Sequence, residues 1–328
     1  MEKLLRDIRK TIDKEIEKYL PRNHNPKVLS DISWYFLDSG GKRIRPALLL
    51  FSCQAINGNS KKAIPAAVAM ELIHSSLLIH DDILDFSDQR RGRLAVYKKF
   101  GLAHGVNVGD YFATKSYECL ASGANAWGHE KTIKVLELMT EMTTKTLEGQ
   151  AMDIDQRDKD LSEATMEWYE DMALRKTGYY TGGSPCAIGA VIAGGNEKEI
   201  EVLKKFGFGI GIANQIIDDV LDVTQDTGQD FGADLKEGKR TLLTIHAFSK
   251  ADKKDREKLK KLIGKKDITL EEKKEIIEIY RRFGSIQFAK NYANKLVEDA
   301  IKEIENVPNS EGREKLIELA NFFVERRI

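Results

Sequence analysis

Helical spacing of apolar residues, sustained over nearly the whole chain, is the constraint that most narrows what this sequence can become. Leu5, Ile8, Ile12 and Ile16 begin the pattern and Leu296, Ala300 and Ile304 close it, each set falling on one face at 3.6 residues per turn. Strand-like alternation is scarce, so an all-α protein built of long helices is expected. Pro21 and Pro26 divide the first two helices. Pro46 stands in the first turn before the apolar run 47–56, where a missing N–H is tolerated. Gly58, Gly182-Gly183, Gly194-Gly195 and segment 227–238 read as punctuation between helices rather than as a flexible linker. Residues 1–328 are therefore expected to form a single domain. The charge-dense stretch 250–274 reads as a pair of short solvated helices without chemistry.

Charge and cysteine usage narrow the function classes. Lys and Arg (52) balance Asp and Glu (52), so nothing global favours nucleic acid or an anionic membrane, and any anion site must be local. Cys53, Cys119 and Cys186 have no CxxC spacing, which argues against a disulfide framework or zinc site and fits a reducing cytoplasm. The first twenty residues read as a charged amphipathic helix without a signal-peptide core. No stretch reads as long and apolar enough to cross a bilayer.

Chemistry concentrates in two aspartate clusters. The strongly apolar segment 70–85 ends in Asp81, Asp82 and Asp85, with Asp81 and Asp85 four apart on one helix face. Negative charge at a helix C-terminus is opposed by the helix dipole, so a purely structural motive is disfavoured. A second cluster of the same form, Asp218, Asp219 and Asp222, closes the glycine-bearing helix 206–222. Paired sets of oxygen ligands suit hard divalent ions. Mg²⁺ takes a few carboxylates and fills its remaining positions with water and phosphate oxygens, so a diphosphate is the implied bridging ligand. Basic groups stand nearby: Gly40-Gly41-Lys42-Arg43-Ile44-Arg45-Pro46 places three cations in a turn opening a helix, where free N–H groups also favour an anion. Arg90-Arg91 precede Gly92 just beyond the first cluster. Two phosphate sites are expected, one metal-bound and one held by cations alone. Lys176, Thr177, Gln215 and Lys239 are candidates to complete the first.

In this order the motifs resemble the trans-polyprenyl diphosphate synthases, the farnesyl and geranylgeranyl diphosphate synthase group. The matching pieces are GGKRIRP at 40–46, HDDILD and RRG within 80–92, Gly109-Asp110, Gly149-Gln150 with Asp153, Lys176-Thr177, Gln215 with DDVLD, and Gly232, Asp234-Leu235 and EGKRT at 237–241. The resemblance implies an isoprenoid synthase-like bundle of long helices around a deep central cavity, usually a homodimer. It implies head-to-tail condensation of isopentenyl diphosphate with an allylic diphosphate (dimethylallyl, geranyl or farnesyl). Three Mg²⁺ ions, replaceable by Mn²⁺, are implied on Asp81, Asp85 and Asp218, with Asp82, Asp219 and Asp222 in support. Lys42, Arg45, His74 and Arg91 match isopentenyl diphosphate positions, and Arg43 of the same motif joins the substrate-binding set. Arg90, Lys176, Thr177, Gln215 and Lys239 match positions facing the allylic substrate. No side chain declares itself as the base, and His74 and His80 read as hydrogen-bond partners.

Product length is expected to be set by depth below the first cluster. Each helical turn toward the N-terminus lies roughly 5.4 Å deeper, so Leu77 or Ser76, then Ile73, then Met70 mark successive floors. Fifteen-carbon enzymes of the family typically carry an aromatic four or five residues before the first Asp. Leu77 and Ser76 are not aromatic, so a product of at least twenty carbons is expected unless Tyr111, Phe112 or Tyr117 closes the tunnel. Departures from the family pattern are Arg93-Leu94-Ala95 after RRG, Asn214 in place of a common phenylalanine, and Gln229 in place of a frequent lysine. Competing readings are a non-catalytic subunit of a heteromeric synthase, which would have lost metal ligands, and a class I terpene cyclase, which lacks the GGKRxRP segment.

Overall fold

The computed structural model describes residues 1–56, 59–224 and 231–324; Gly58 and Gln229 lie outside them. Helix accounts for 81% of the described residues. Among the described residues the one strand pairing is a two-residue antiparallel hairpin, Gln89–Arg90 with Arg93–Leu94. The order is α1 (Glu2–Tyr19), α2 (Lys27–Leu37), α3 (Ile44–Ile56), α4 (Ile64–Leu84), α5 (Val96–Phe100), α6 (Leu102–Trp127), α7 (His129–Arg157) and α8 (Met166–Ala173). A π-helical segment, Leu174–Gly183, leads into α9 (Ser184–Ala193), α10 (Glu197–Thr224), α11 (Ala233–Glu237), α12 (Leu242–Lys250), α13 (Lys253–Leu262), α14 (Leu270–Arg282), α15 (Ser285–Ile304) and α16 (Glu311–Val324). The charge-dense stretch does form two helices, α13 and the start of α14.

The helices sort into two compact units. One comprises Met1–Met139, Ser184–Leu203 and Val307–Leu316. Its organiser is α4, which is apolar all round from Ala66 to Ile73 except for Glu71 and therefore lies buried, packed against α6 and α3. Against α3 lies α9, so closely that a Cβ at Gly189 would sit 2.3 Å from the Leu49 carbonyl oxygen. By length and composition Ser60–Leu84 does reach a membrane-spanning standard, with mean hydropathy 1.4, contrary to the sequence expectation. Its most apolar window is 67% buried inside the protein, as befits a core helix.

The other unit comprises Thr140–Gly183, Lys204–Asn306 and Ile317–Ile328. Here α12 packs on α14 and α15, and α8 on the π-helical segment, around fully buried Tyr169 and Tyr280. Gly182-Gly183 do not punctuate helices as expected. Helix runs through them into α9, and they instead allow two backbones to touch: a Cβ at Gly182 would lie 2.0 Å from the carbonyl oxygen of Gly207 on α10.

Candidate active site

In the first unit, α4 delivers all three aspartates of the first cluster to its C-terminal end. Asp81 and Asp82 occupy the last turn, and Asp85 is the C-cap, its N–H donating to the Asp81 carbonyl. Asp82 is 1% exposed. Its Oδ1 accepts Arg90 Nε at 2.8 Å and Nη2 at 2.5 Å, while its Oδ2 is buried with no hydrogen-bond partner. Burial, with repulsion from Asp81 and Asp85, pushes the Asp82 carboxyl up to about 6 against the pull of Arg90.

Arg90 is presented by the hairpin, whose turn residues Arg91 and Gly92 both take left-handed backbone, φ 53 and 74, as a two-residue hairpin turn requires. The Arg93-Leu94-Ala95 departure is absorbed there: Tyr35 Oη donates to the Leu94 carbonyl at 2.9 Å, and Ala95 N–H to the Asp88 carbonyl at 3.0 Å.

The GGKRIRP turn precedes α3. Lys42 is exposed and Arg45 half-buried, with Arg45 Nη1 3.2 Å from His74 Nε2 on α4. Burial, then the fields of Arg45, Arg91, Arg43 and Arg90, hold His74 well below the usual histidine range, so it is neutral at pH 7. Burial and the same cationic neighbours lower the Arg91 guanidinium to about 10. A guanidinium depressed by burial and by neighbouring cations marks a place that favours an anion. Arg43 departs from the sequence expectation. It is 3% exposed, and its guanidinium turns inward, Nη1 donating to Glu71 Oε1 at 2.7 Å and Nε to Asp13 Oδ1 at 2.8 Å. Those bonds make it a structural residue, not a substrate donor.

In the second unit, α10 carries the second cluster. Asp218 is exposed, and its Oδ2 accepts Asn214 Nδ2 at 2.9 Å. Asp219 is 4% exposed. It accepts Gln215 Nε2 at 2.7 Å on Oδ1 and Tyr169 Oη at 3.1 Å on Oδ2. Asp222 accepts the backbone N–H groups of Ala233 and Asp234 at 3.0 and 3.3 Å. Burial and the nearby Asp234 push Asp222 up to about 8 and raise Asp219 well above the carboxylate range. Lys176 Nζ donates to Asp153 Oδ2 at 2.6 Å. Lys239 Nζ reaches Asp234 at 2.9 Å and Glu237 at 2.6 Å. Although burial raises it, Asp153 is held well below the carboxylate range by Lys176, Arg157 and Lys239. Thr177 Oγ1 donates to Gln215 Oε1 at 2.8 Å. Asp153, Tyr169, Glu71 and Asp234 are thus structural partners that the motif reading did not assign to the site.

Comparison with known proteins decides the family. The polyprenyl synthetase model matches residues 26–280. The chain belongs to the polyprenyl synthetase family. This synthetase is 34% identical to a geranylgeranyl diphosphate synthase of Methanosarcina mazei over 96% of its own length and 94% of that protein's. It is 36% identical to a short chain isoprenyl diphosphate synthase of Methanocaldococcus jannaschii, covering 98% and 95%. The solved geranylgeranyl pyrophosphate synthetase from Pyrococcus horikoshii superposes with a TM-score of 0.91 at 35% identity, covering 99% of both chains. The synthetase is therefore an all-α enzyme, a trans-isoprenyl diphosphate synthase of the head-to-tail type.

Enzymes of this family are Mg²⁺-dependent, and the donor sets here suit that ion. All are carboxylate oxygens, several held up by burial and mutual repulsion, and Asp82 Oδ2 is buried without a partner. Among the described residues no three His, Cys, Asp or Glu side chains form a ready-made metal cage. Mg²⁺ requires none, since phosphate oxygens and water complete its octahedron.

Proposed function

We propose that the synthetase elongates a dimethylallyl, geranyl or farnesyl diphosphate primer with isopentenyl diphosphate, giving a product of at least twenty carbons, with geranylgeranyl diphosphate the leading candidate. The observation that carries this reading is the charge pattern at one end of α4. Arg45, Arg90 and Arg91 crowd a neutral His74, while Asp81, Asp82 and Asp85 cluster at the end of the same helix. Asp81, Asp85 and Asp218 are assigned as Mg²⁺ ligands, with three ions when substrate is bound and Mn²⁺ able to substitute. Asp82, Asp219 and Asp222 support them. Bound metal supplies the charge that stabilises departing pyrophosphate.

The remaining roles belong to the chain. Lys42, Arg45, His74 and Arg91 hold the isopentenyl diphosphate, His74 as an uncharged donor or acceptor. Arg90, Lys176, Thr177, Gln215 and Lys239 face the allylic diphosphate. Lys176 and Lys239, now paired with carboxylates, add fixed positive charge where negative charge develops on ionisation. The whole chain is taken as one catalytic domain in the cytoplasm. The test is product analysis after incubation with isopentenyl diphosphate, each primer and Mg²⁺. Turnover is expected to vanish in excess chelator and to return with Mg²⁺ or Mn²⁺; undiminished elongation in chelator contradicts the metal assignment.

Product length rests on the wall of α4. Ser76, Ile73 and Met70 are all buried, in the order that a tunnel descending from Asp81 would meet them, and Leu77 is half-buried. Of the aromatics on α6, Phe112 is buried against Phe36, centroids 6.2 Å apart, whereas Tyr117 is 39% exposed. Ser76→Phe is expected to shorten the main product while preserving turnover, as read by chromatography of the dephosphorylated alcohols. An unchanged distribution removes Ser76 from the tunnel.

Leu102, Val106 and Tyr117 on α6 are exposed apolar side chains, and we assign that face to a second copy of the chain. Light scattering is expected to give the mass of a dimer; a monomer at tens of micromolar concentration refutes the assignment.

A further inference from the structure

Asp219 is held from two sides by groups on different helices. Its Oδ1 accepts the Gln215 amide from one turn earlier on α10, and its Oδ2 accepts the phenol of Tyr169 on α8. With one donor on each oxygen, the carboxylate has no freedom to rotate. The amide itself is fixed, because Gln215 Oε1 accepts the Thr177 hydroxyl at 2.8 Å and so turns its nitrogen toward Asp219. Tyr169 is 1% exposed, and burial, then the negative charge of Asp219, raises its phenol well above the ordinary tyrosine range. It stays a donor throughout the working pH range.

We propose that Tyr169 is a positioning residue for the reaction: together with Gln215 it locks Asp219, and through it the end of α10, so that the adjacent Asp218 is presented to the metal-bound diphosphate. This inference rests on the function proposed above. In physical terms, Asp218 and Asp219 are consecutive on one helix and diverge by roughly 100° around its axis. A clamp on the buried member therefore sets the direction of the exposed one. Asp218 accepts the Asn214 amide, an exposed bond within the same helix, and such a bond holds a side chain weakly. The buried side supplies a more rigid reference, where Tyr169 ties α10 to α8.

Tyr169→Phe keeps the ring that fills the core and removes only the donor. With isopentenyl diphosphate and a geranyl diphosphate primer, kcat is expected to fall roughly tenfold, the scale of one hydrogen bond to a charged group. The Mg²⁺ concentration for half-maximal rate should rise, and the KM for isopentenyl diphosphate should stay unchanged. Calorimetric titration with Mg²⁺ and inorganic pyrophosphate, which needs no turnover, should show weaker binding by a similar factor. In an Asp219→Ala background the same substitution should have no further effect on either measurement, since Tyr169 acts only through that carboxylate. Equal losses in both backgrounds, or an unchanged Mg²⁺ requirement and pyrophosphate affinity, overturn the proposal. Failure of the wild-type protein to elongate any primer would instead remove the proposed function, and the pyrophosphate titration would still report on the clamp.

Discussion

Asp218→Ala is expected to lower turnover on the order of a thousandfold or more, and Asp81→Ala by a comparable factor, because under the proposed function each removes a ligand of an ion that carries leaving-group charge. A thousandfold corresponds to about 4 kcal/mol of transition-state stabilisation, which is within what a Lewis-acid contact contributes and beyond what one neutral hydrogen bond does. Burial separates this loss from unfolding. Asp218 is exposed and Asp81 only half-buried, so neither truncation opens a cavity, and both carboxylates sit among others that repel them. Thermal melting of the metal-free variants should therefore match the wild type. Steady-state kinetics at saturating Mg²⁺ is the measurement, and a loss under tenfold at both positions would take them out of the metal's coordination sphere.

The parts of this protein that can be read in its sequence are those governed by local periodicity and by motif order. Helical spacing gave the all-α architecture because nearly every helix has a buried stripe. The two aspartate motifs could be placed at helix ends because the runs before them, 64–80 and 206–217, are mostly apolar and the helix carries through their proline and glycines. What could not be read depends on tertiary partners. Lys42, Arg43 and Arg45 look alike in one turn, yet Arg43 takes left-handed backbone, φ 54, and points inward. A usable sign did exist: Glu71 is a lone carboxylate inside the otherwise apolar run 64–73, and a buried charge demands a partner. The pairing of Tyr169 with Asp219 spans 50 residues and left no such mark. Gly182-Gly183 look like a helix break in one dimension and prove to be the contact surface of two helices. Ser60–Leu84 passes for a membrane span because a core helix covered on all sides has the same composition as one covered by lipid.

Arg43 also carries the largest expected effect on stability. Its guanidinium joins Glu71, 2% exposed, and Asp13, which is partly exposed, so the pair with Glu71 is a buried ion pair. Replacing such a pair by apolar groups is often nearly neutral, whereas removing one partner leaves an uncompensated charge. Arg43→Met is therefore expected to destabilise the fold by about 3–5 kcal/mol. The loss has a second source, because the Arg43 side chain lies against Gly41, where an added Cβ would be 2.6 Å from its Nη1, and so helps to shape the turn before α3. Arg43→Met combined with Glu71→Leu should recover most of the loss, since no buried charge then remains; Asp13 is left with solvent as its partner. Chemical denaturation of the two variants beside the wild type measures this. A single variant within about 1 kcal/mol of wild type, the scale of an exposed pair, would mean that Arg43 is free to leave Glu71, and its assignment as a substrate-binding cation would return.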